Sequence, residues 1–308
     1  MCDSNRPEAQ ICVLRSYMRQ RETLVKYASY HVQRMQKALS QMNIELQHVI
    51  SDITGVTGMR IIRAIFEGER DGTTLAAMKD WRVKNSVETI AKALTGDYRD
   101  EHLFALRQAV ELYDIYRKMM VECDRAILLE MRKFESRVDL SKGLAPGQEK
   151  QAKGLGKKKK DKVRRNEPTF DCQTELYRII GVDLTRIDGI GESTAQLILS
   201  EIGMDVGNKW RTEAQFSSWL GLCPENKISG GRVLRRGTRK VVNRVANALR
   251  MCAESLLHNN SALGAFMRRI RIRKGMPIAI TATAHKLARL VYRMLRYGQD
   301  YVDIGQEQ

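Results

Sequence analysis

The sequence predicts a mainly α fold, in which a coiled-coil helical hairpin precedes a compact helical C-terminal domain. Two long segments place apolar residues at alternating spacings of three and four, which is typical of coiled coils. A stretch rich in lysine and glycine separates them from a further series of helical patterns. A chain of 308 residues also fits two modest domains better than one.

Residues 1–140 contain two apolar seams of similar length around a small helical insert at 51–97. The first seam is broken only by Arg21 and consists of Ile11, Leu14, Met18, Val25, Ala28, Val32, Met35, Leu39, Met42, Leu46 and Val49. The second consists of Leu103, Leu106, Val110, Tyr113, Arg117, Met120, Asp124, Ile127, Met131, Phe134 and Val138. This pattern predicts an antiparallel hairpin or an arm that joins chains into a homo-oligomer. A plain helix-bundle core explains the seams equally well.

Residues 141–168 separate the two halves of the chain. They carry ten Lys/Arg against three acids, together with several glycines. Like charges repel and glycine is costly to order, so this stretch is predicted to be a flexible basic linker. The C-terminal domain then spans residues 169–301, and residues 302–308 form a tail.

The chain is strongly basic, with 53 Lys/Arg against 36 Asp/Glu and a formal net charge of +17. Residues 226–274 alone hold thirteen Lys/Arg and a single acid, Glu254. Charge concentrated in this way favours a surface that binds the phosphates of a nucleic acid. A solvated charged face is the ordinary alternative.

Several classes of protein are disfavoured. No apolar run approaches the length of a membrane span, and the first ten residues lack the apolar core of a signal peptide. The six cysteines are scattered without a C-x-x-C pair, which argues against a disulfide framework or a zinc site. We therefore expect a cytoplasmic protein with no membrane partner and no metal ligands of its own.

A helix–hairpin–helix spacing runs from Leu184 to Ile198, with Gly189 and Gly191 at its centre. Two glycines allow a tight turn whose backbone amides can face a phosphate, although a simple turn between helices has the same spacing. A similar segment at residues 50–61 departs from the pattern, because Thr57 replaces the second glycine. We interpret that earlier copy as a structural hairpin.

The segment 221–232 combines turn-forming residues with one serine, Ser229, directly before two glycines. We expect a helix to follow, with Arg236, Lys240 and Arg244 repeating at intervals of four on one face. Arginines can bind a phosphodiester and stabilise the charge of its transition state. A Ser-Gly-Gly sequence is nevertheless most often only a turn. His285, expected at the start of a later helix, is a weaker candidate for the same site.

Several spaced motifs between Phe170 and about Gly298 together resemble one family. They are Ile187-Asp188-Gly189-Ile190-Gly191, Leu199-Ser200-Glu201-Ile202-Gly203, Trp219-Leu220-Gly221-Leu222-Cys223-Pro224, Ser229-Gly230-Gly231-Arg232 and Arg239-Lys240 with Asn243 and Ala248-Leu249-Arg250. This part of the chain resembles the insertion-sequence-110 family of transposases, which is related to Piv-type DNA invertases and includes bridge-RNA-guided recombinases.

The resemblance implies functional residues and partners. Ser229 would be the nucleophile that forms a covalent phosphoserine link to DNA. The nucleic-acid contacts would be Gly189, Gly191, Arg232, Arg235, Arg236, Arg239, Lys240, Asn243 and Arg244. The partners would be DNA and a guide (bridge) RNA, in a homo-oligomer held by the coiled coil and associated with a prokaryotic nucleoid.

The same resemblance implies a Mg²⁺ site that these residues do not supply. In the family, an N-terminal RuvC-like domain holds Mg²⁺ with an Asp-Glu-Asp-Asp set. Asp3, Glu8 and Asp52 do not sit in that motif context. We therefore expect an N-terminally truncated transposase whose DNA transposition, by a serine attack on a phosphodiester, is impaired.

Whether this chain acts as an enzyme on its own stays open at this point. The alternative is a non-catalytic, basic nucleic-acid-binding and dimerisation scaffold that regulates a full-length relative. A sequence-specific transcription regulator is less favoured, because no clean helix-turn-helix is evident.

Overall fold

The fold is described from a computed structural model, which covers residues 9–138, 166–225, 227–230, 232–235, 237–239, 241–299 and 301. These residues form thirteen α-helices and one short β-hairpin, so the mainly α prediction is confirmed. The chain divides into two compact units, Met1–Met18 with Asp124–Gln308 and Arg19–Cys123. We call these unit 1 and unit 2. The predicted linker at 141–168 lies almost wholly outside the described residues, as does the tail at 302–308.

Two helices of 33 residues each pair with one another, α1 (Ala9–Gln41) and α6 (Asp100–Arg132). In unit 2 the ring of Tyr116 on α6 lies 5.5 Å from that of Tyr27 and 5.4 Å from that of His31 on α1. All positions of both predicted seams are buried or half-buried. The apolar periodicity therefore predicted the buried faces correctly, whereas supercoiling and an oligomer through these helices stay predictions.

Four short helices complete unit 2: α2 (Leu46–Val49), α3 (Val56–Phe66), α4 (Gly72–Ala77) and α5 (Val87–Ala93). They share one apolar core with the C-terminal half of α1 and the N-terminal half of α6. Thr57, which replaced a glycine in the earlier motif copy, is buried, and its hydroxyl oxygen accepts a hydrogen bond from the Asp80 amide at 2.9 Å. This copy therefore has a structural use, as interpreted from the sequence.

Unit 1 packs the ends of the long helices with the C-terminal part of the chain around a second core. After α6 come α7 (Cys172–Ile180), a 3₁₀ turn (Leu184–Arg186), α8 (Glu192–Ile202), α9 (Val206–Lys209) and α10 (Glu213–Trp219). The strands β1 (Lys227–Ser229) and β2 (Arg232–Arg235) follow. The last helices are α11 (Arg244–Ser255), α12 (Ala262–Lys274) and α13 (Met276–Tyr297), with a 3₁₀ turn at Leu256–His258.

Helix α13 is the main support of unit 1, because it packs against α10, α11 and α12. Its apolar face is fully buried at Leu287, Val291 and Tyr292. The Tyr292 hydroxyl donates a hydrogen bond of 2.8 Å to the Trp210 carbonyl, so this buried polar group is satisfied. The β-hairpin is thus built next to a firmly packed helical core.

Candidate nucleic-acid interface

Ser229 lies at the tip of a β-hairpin that the sequence analysis did not predict. β1 and β2 are antiparallel, Ser229 is paired with Arg232, and Gly230 lies in the turn after β1. Gly230 has φ of 54°, a left-handed value that two-residue hairpin turns require and glycine adopts readily. Ser229 is exposed, and an added side-chain carbon on Gly230 would meet no atom within 4 Å. The serine therefore stands at an open, accessible turn.

The two sides of the hairpin are joined again below the strands. Pro224 forms a bridge with Thr238, and the Glu225 amide donates to the Gly237 carbonyl at 2.7 Å. At the foot, Gly221 has φ of 68°, and a side-chain carbon there would lie 2.9 Å from Cγ2 of Val241. We call this close approach of Gly221 to Val241 the crossing. Only glycine fits the crossing without strain. It fixes where the hairpin leaves the helical core.

Arg239 contributes to the same foot. Its guanidinium donates a hydrogen bond of 3.1 Å to the Ser218 carbonyl at the end of α10, while the side chain remains exposed. The residue was predicted as a phosphate contact. Its observed role is to tie the returning strand to the helical core, and its exposure leaves the remaining donors open to solvent.

The expected helical face of Arg236, Lys240 and Arg244 is wrong. Helix α11 begins only at Arg244, because Asn243 has an extended backbone and its side-chain oxygen accepts from the Ala246 amide at 3.1 Å. Asparagine is a favoured N-cap, and the preceding Val241-Val242 pair favours extended structure. The prediction extended a helical pattern backwards through the hairpin. Arg236 and Lys240 themselves lie outside the described residues.

The remaining predicted contacts divide into two groups. Asn243 caps α11, and Nε of Arg244 lies 3.2 Å from Oε1 of Glu201, so both have structural partners. Arg232 and Arg235 lie on β2, but their side chains are not among the described atoms. The structure thus brings Ser229, Arg232 and Arg235 onto one hairpin, and it places Arg239, Asn243 and Arg244 at the hairpin's return to the core.

The two glycines of the helix–hairpin–helix spacing differ in their surroundings. Gly189 has φ of 86°, and a side-chain carbon there would lie 2.9 Å from the Cys252 carbonyl, so packing against α11 requires glycine. Gly191 precedes α8, has open space around it, and receives no side-chain cap. Both glycines are exposed, and only the second has open space where a side chain would be. Phosphate binding at this turn stays a prediction, as does the motif itself.

Carboxylates surround that second glycine. Glu192 is the first residue of α8, and burial together with the charges of Glu167, Asp171 and Asp183 raises its pKa. A negative electrostatic environment opposes the approach of a phosphate. Of the two predicted binding regions, the hairpin therefore has the more favourable charge.

A thiol and an imidazole meet beside the hairpin's first strand. Sγ of Cys223 lies 3.7 Å from Nε2 of His285, which is in the middle of α13 and not at a helix start as expected. Burial raises the pKa of Cys223; burial and the charge of Arg289 lower the pKa of His285. Both groups are therefore expected to be uncharged at neutral pH.

Sequence reasoning missed Glu213, which is the anchor of this region. Its carboxylate accepts hydrogen bonds from Arg289 at 2.8 Å and Arg293 at 2.7 Å, and these bonds lower its pKa. The partners are about eighty residues apart in sequence, so no local pattern indicated them. Arginines four residues apart on α13 were the only available signal.

The described part of the chain contains no group of three or more His, Cys, Asp or Glu side chains placed to hold a metal ion. These residues therefore do not fit the Mg²⁺ site that the resemblance implied. Within the same ranges, no helix has both the length and the apolar character needed to cross a bilayer.

Comparison with known proteins adds a family match over the same region. Residues 183–268, which include both glycine turns and the hairpin, match the family described as "Transposase IS116/IS110/IS902 family". A protein of Pseudomonas aeruginosa strain PAO1, described as "Probable family 20 transposase", is 24% identical over 117 residues. That alignment covers 36% of this chain and 34% of the relative, so it spans about a third of the relative's length. The segment that carries Ser229 is thus similar to the transposase domain of the IS110 family.

Proposed function

We propose that this protein takes part in the transposition of an insertion sequence and that Ser229 is the residue that attacks DNA. The observation that carries the proposal is the exposed Ser229 at the hairpin turn, opposite Arg232, within the segment that matches the transposase family. A hydroxyl on a narrow, open hairpin can approach a phosphodiester that a buried hydroxyl could not reach.

The chemistry assigned to Ser229 is a transfer of the phosphoryl group. Its Oγ attacks the phosphorus of a DNA phosphodiester, an Oγ–P bond forms, and the bond from phosphorus to one deoxyribose oxygen breaks. The departing DNA end takes up a proton as a hydroxyl group, while Oγ loses its own. Arginines can stabilise the additional negative charge of the transition state, and we assign this role to Arg232 and Arg235, which belong to the strand that follows the turn.

Further parts of the family mechanism belong to the proposal as well. We assign the carboxylates that hold Mg²⁺ to a RuvC-like domain of the family, as the resemblance implies. Without them, recombination would be impaired. A guide RNA and a homo-oligomer built through α1 and α6 are likewise proposed.

The test is to trap the covalent intermediate. The protein is incubated with Mg²⁺, a RuvC-like domain of the family and a nicked DNA substrate that lets one strand diffuse away after cleavage, and DNA-linked protein is detected on a denaturing gel. We expect an adduct with the native sequence and none with Ser229→Ala. Ser218→Ala is the matched control, because Ser218 is exposed at the foot of the hairpin and its side chain has no assigned role. An adduct that persists in Ser229→Ala would contradict the proposal.

The alternative, a scaffold that binds nucleic acid without cleaving it, makes a different prediction in the same experiment. Neither protein would form an adduct, even when a RuvC-like domain of the family and Mg²⁺ are supplied, and both would bind DNA equally. Arg239 and Asn243, two of the predicted nucleic-acid contacts, form hydrogen bonds within the protein instead. These structural roles favour the alternative, in which fewer residues act on a substrate.

A further inference from the structure

The last two helices of unit 1 carry an unusual charge distribution. Residues 255–299 contain nine Lys/Arg and no Asp or Glu. Helix α12 and helix α13 follow each other with Gly275 as the only residue between them. We define the corner between them as residues 269–278.

Five of the nine cations have partners in the described structure. Arg268 donates to the carbonyls of Leu257 and Asn259, at 3.2 and 2.6 Å. Lys286 lies over the ring of Phe266. The other three are Arg289 and Arg293, which bind Glu213, and Arg296, which donates to the carbonyls of Trp210 and Arg211.

The four remaining cations are all at the corner. Arg269, Arg271, Arg273 and Lys274 are exposed, and among the described residues none of their side chains forms a hydrogen bond or an ion pair. Compensation of the helix dipole favours a cation in the last turn of α12, but one or two would suffice. The fold thus uses its other cations internally and leaves one group of four for solvent or a partner.

An apolar side chain stands in the middle of this group. Ile272 is 85% exposed and lies between Arg271 and Arg273, and Ile278 is 54% exposed on the other side of Gly275. Exposing an isoleucine forgoes the free energy of burying its side chain, which a partner can recover. Nothing in charge compensation explains an isoleucine at the outermost point of the corner.

We propose that the corner at residues 269–278 is a second DNA-binding surface, separate from the Ser229 hairpin, which grips duplex phosphates with its four cations and inserts Ile272 into the minor groove. Proteins that bind this groove combine Arg and Lys with an apolar wedge that partly unstacks a base step. The choice of DNA as the partner rests on the proposed function. The existence of a polyanion-binding corner does not.

Duplex DNA fits the corner better than RNA does. Single-stranded nucleic acids are generally held by aromatic side chains that stack on bases, and residues 269–278 contain no Phe, Tyr or Trp. The minor groove of an RNA duplex is wide and shallow, and offers an isoleucine wedge no narrow groove to fill.

The experiment measures binding of a fluorescein-labelled, A·T-rich DNA duplex by anisotropy at several salt concentrations. The test variant is Arg271→Glu/Arg273→Glu/Lys274→Glu. The matched control is Lys37→Glu/Lys84→Glu/Lys118→Glu, which changes the net charge equally at exposed lysines of unit 2. We expect the test variant to lose more than about tenfold in affinity and its salt slope to fall by about 0.9 per lost phosphate contact. Equal losses in the two variants would overturn the proposal.

A second variant tests the wedge. Ile272→Ala keeps the charge and changes a side chain that is 85% exposed, so its folding should be unaffected. We expect it to reduce the bend of a duplex labelled at both ends, measured by energy transfer, while the salt slope is unchanged. Ile278→Ala is the control. An unchanged bend, or a loss by the charge variant of RNA-hairpin binding alone, would contradict the assignment to duplex DNA.

The two proposals fail separately. If the native sequence forms no Ser229 adduct but the corner variant still loses duplex affinity, the DNA-binding role of the corner is supported and the serine mechanism is contradicted. If the adduct forms normally and the corner variant binds DNA as tightly as its control, the serine mechanism is supported and the DNA-binding role of the corner is contradicted.

Discussion

Nε of Arg244 lies 3.2 Å from Oε1 of Glu201, and Nε of Arg15 lies 3.5 Å from the other oxygen of the same carboxylate. Glu201 therefore joins the start of α11 to α1, with its side chain only 12% exposed. Arg244, which the sequence analysis predicted to contact DNA, is thus held in an ion pair with Glu201. The structure therefore gives Arg244 a role in stability, while its predicted contact with DNA stays a prediction.

Replacing Glu201 should cost more stability than replacing Arg244. Glu201→Ala leaves two arginines without their carboxylate, and we expect a loss of about 1–3 kcal/mol in the free energy of unfolding. Arg244→Ala removes a partly exposed partner and should cost about 0.5–1 kcal/mol. Urea denaturation measures both. If Arg244→Ala is the more destabilising change, the ion pair is not what orders this junction.

Gly221 at the foot of the hairpin should tolerate no side chain. Gly221→Ala introduces a left-handed alanine and a carbon 2.9 Å from Val241, and we expect a cost of about 2–4 kcal/mol. Thermal unfolding followed by circular dichroism would show a lower Tm. Gly237→Ala is the matched control on the returning strand, because no atom lies within 4 Å of an added carbon there and its φ is not left-handed. Equal Tm values for the two variants would contradict the described crossing.

The stability of unit 1 should depend on pH through His285. Its pKa is lowered in the folded protein, so the folded state binds fewer protons than the unfolded state below the ordinary value of 6.5. The stabilising contribution is complete above pH 6.5 and is lost as the pH falls through the lower folded pKa. We expect Tm to fall less between pH 7 and pH 5 in His285→Gln than in the native sequence. His31→Gln, which removes the other imidazole of lowered pKa, separates the two effects.

Glu192 should show the opposite dependence. Its pKa is raised by burial and by neighbouring carboxylates, so its ionised form is unfavourable in the folded state. This cost is present at neutral pH and disappears as the pH falls below the unfolded pKa. We expect Glu192→Gln to have a higher Tm than the native sequence at pH 7, and the difference to shrink by pH 4. A difference independent of pH would show that charge is not the cause.

The same variant tests whether the turn at Gly191 binds phosphate. If it does, removing the charge of Glu192 should tighten binding of a DNA duplex. Unchanged affinity would indicate that this turn serves only the packing of α8, while the hairpin or the corner carries the binding. Gly191→Ala, placed in open space, serves as a companion variant.

Much of the helical architecture was predictable because apolar spacing directly reports a buried face. Every position of the two seams, from Ile11 to Val138, is buried or half-buried as expected. The hairpin was not predicted because its strands are only three and four residues long and mostly polar. Its available signal was Ile228 and Val233 on either side of a Gly-Gly pair, which is a hairpin pattern.

The site was predictable only where function depends on local sequence. Ser229 was singled out from its motif, and its exposure at the turn is consistent with access to substrate. By contrast, the link from Glu213 to Arg289 and Arg293 depends on tertiary packing, which local patterns do not encode. The predicted helical face of Arg236, Lys240 and Arg244 was wrong because a spacing of four was taken as helical although the helix begins only at Arg244. Asn243, which accepts a hydrogen bond from the Ala246 amide, is a favoured N-cap residue and indicates the true start of the helix.

The crossing at Gly221 has a consequence for how such a hairpin can diverge. Because the contacts that fix the hairpin to the core in the described residues lie below Pro224 and Thr238, its length can change without altering the helical packing. Adding two residues to each strand would move the serine outward by about 7 Å and keep it on the same face, since strands rise about 3.3 Å per residue and side chains alternate. Adding one residue to each strand would turn the serine to the opposite face. Relatives with longer or shorter hairpins should therefore differ by even numbers of residues per strand wherever the serine is retained.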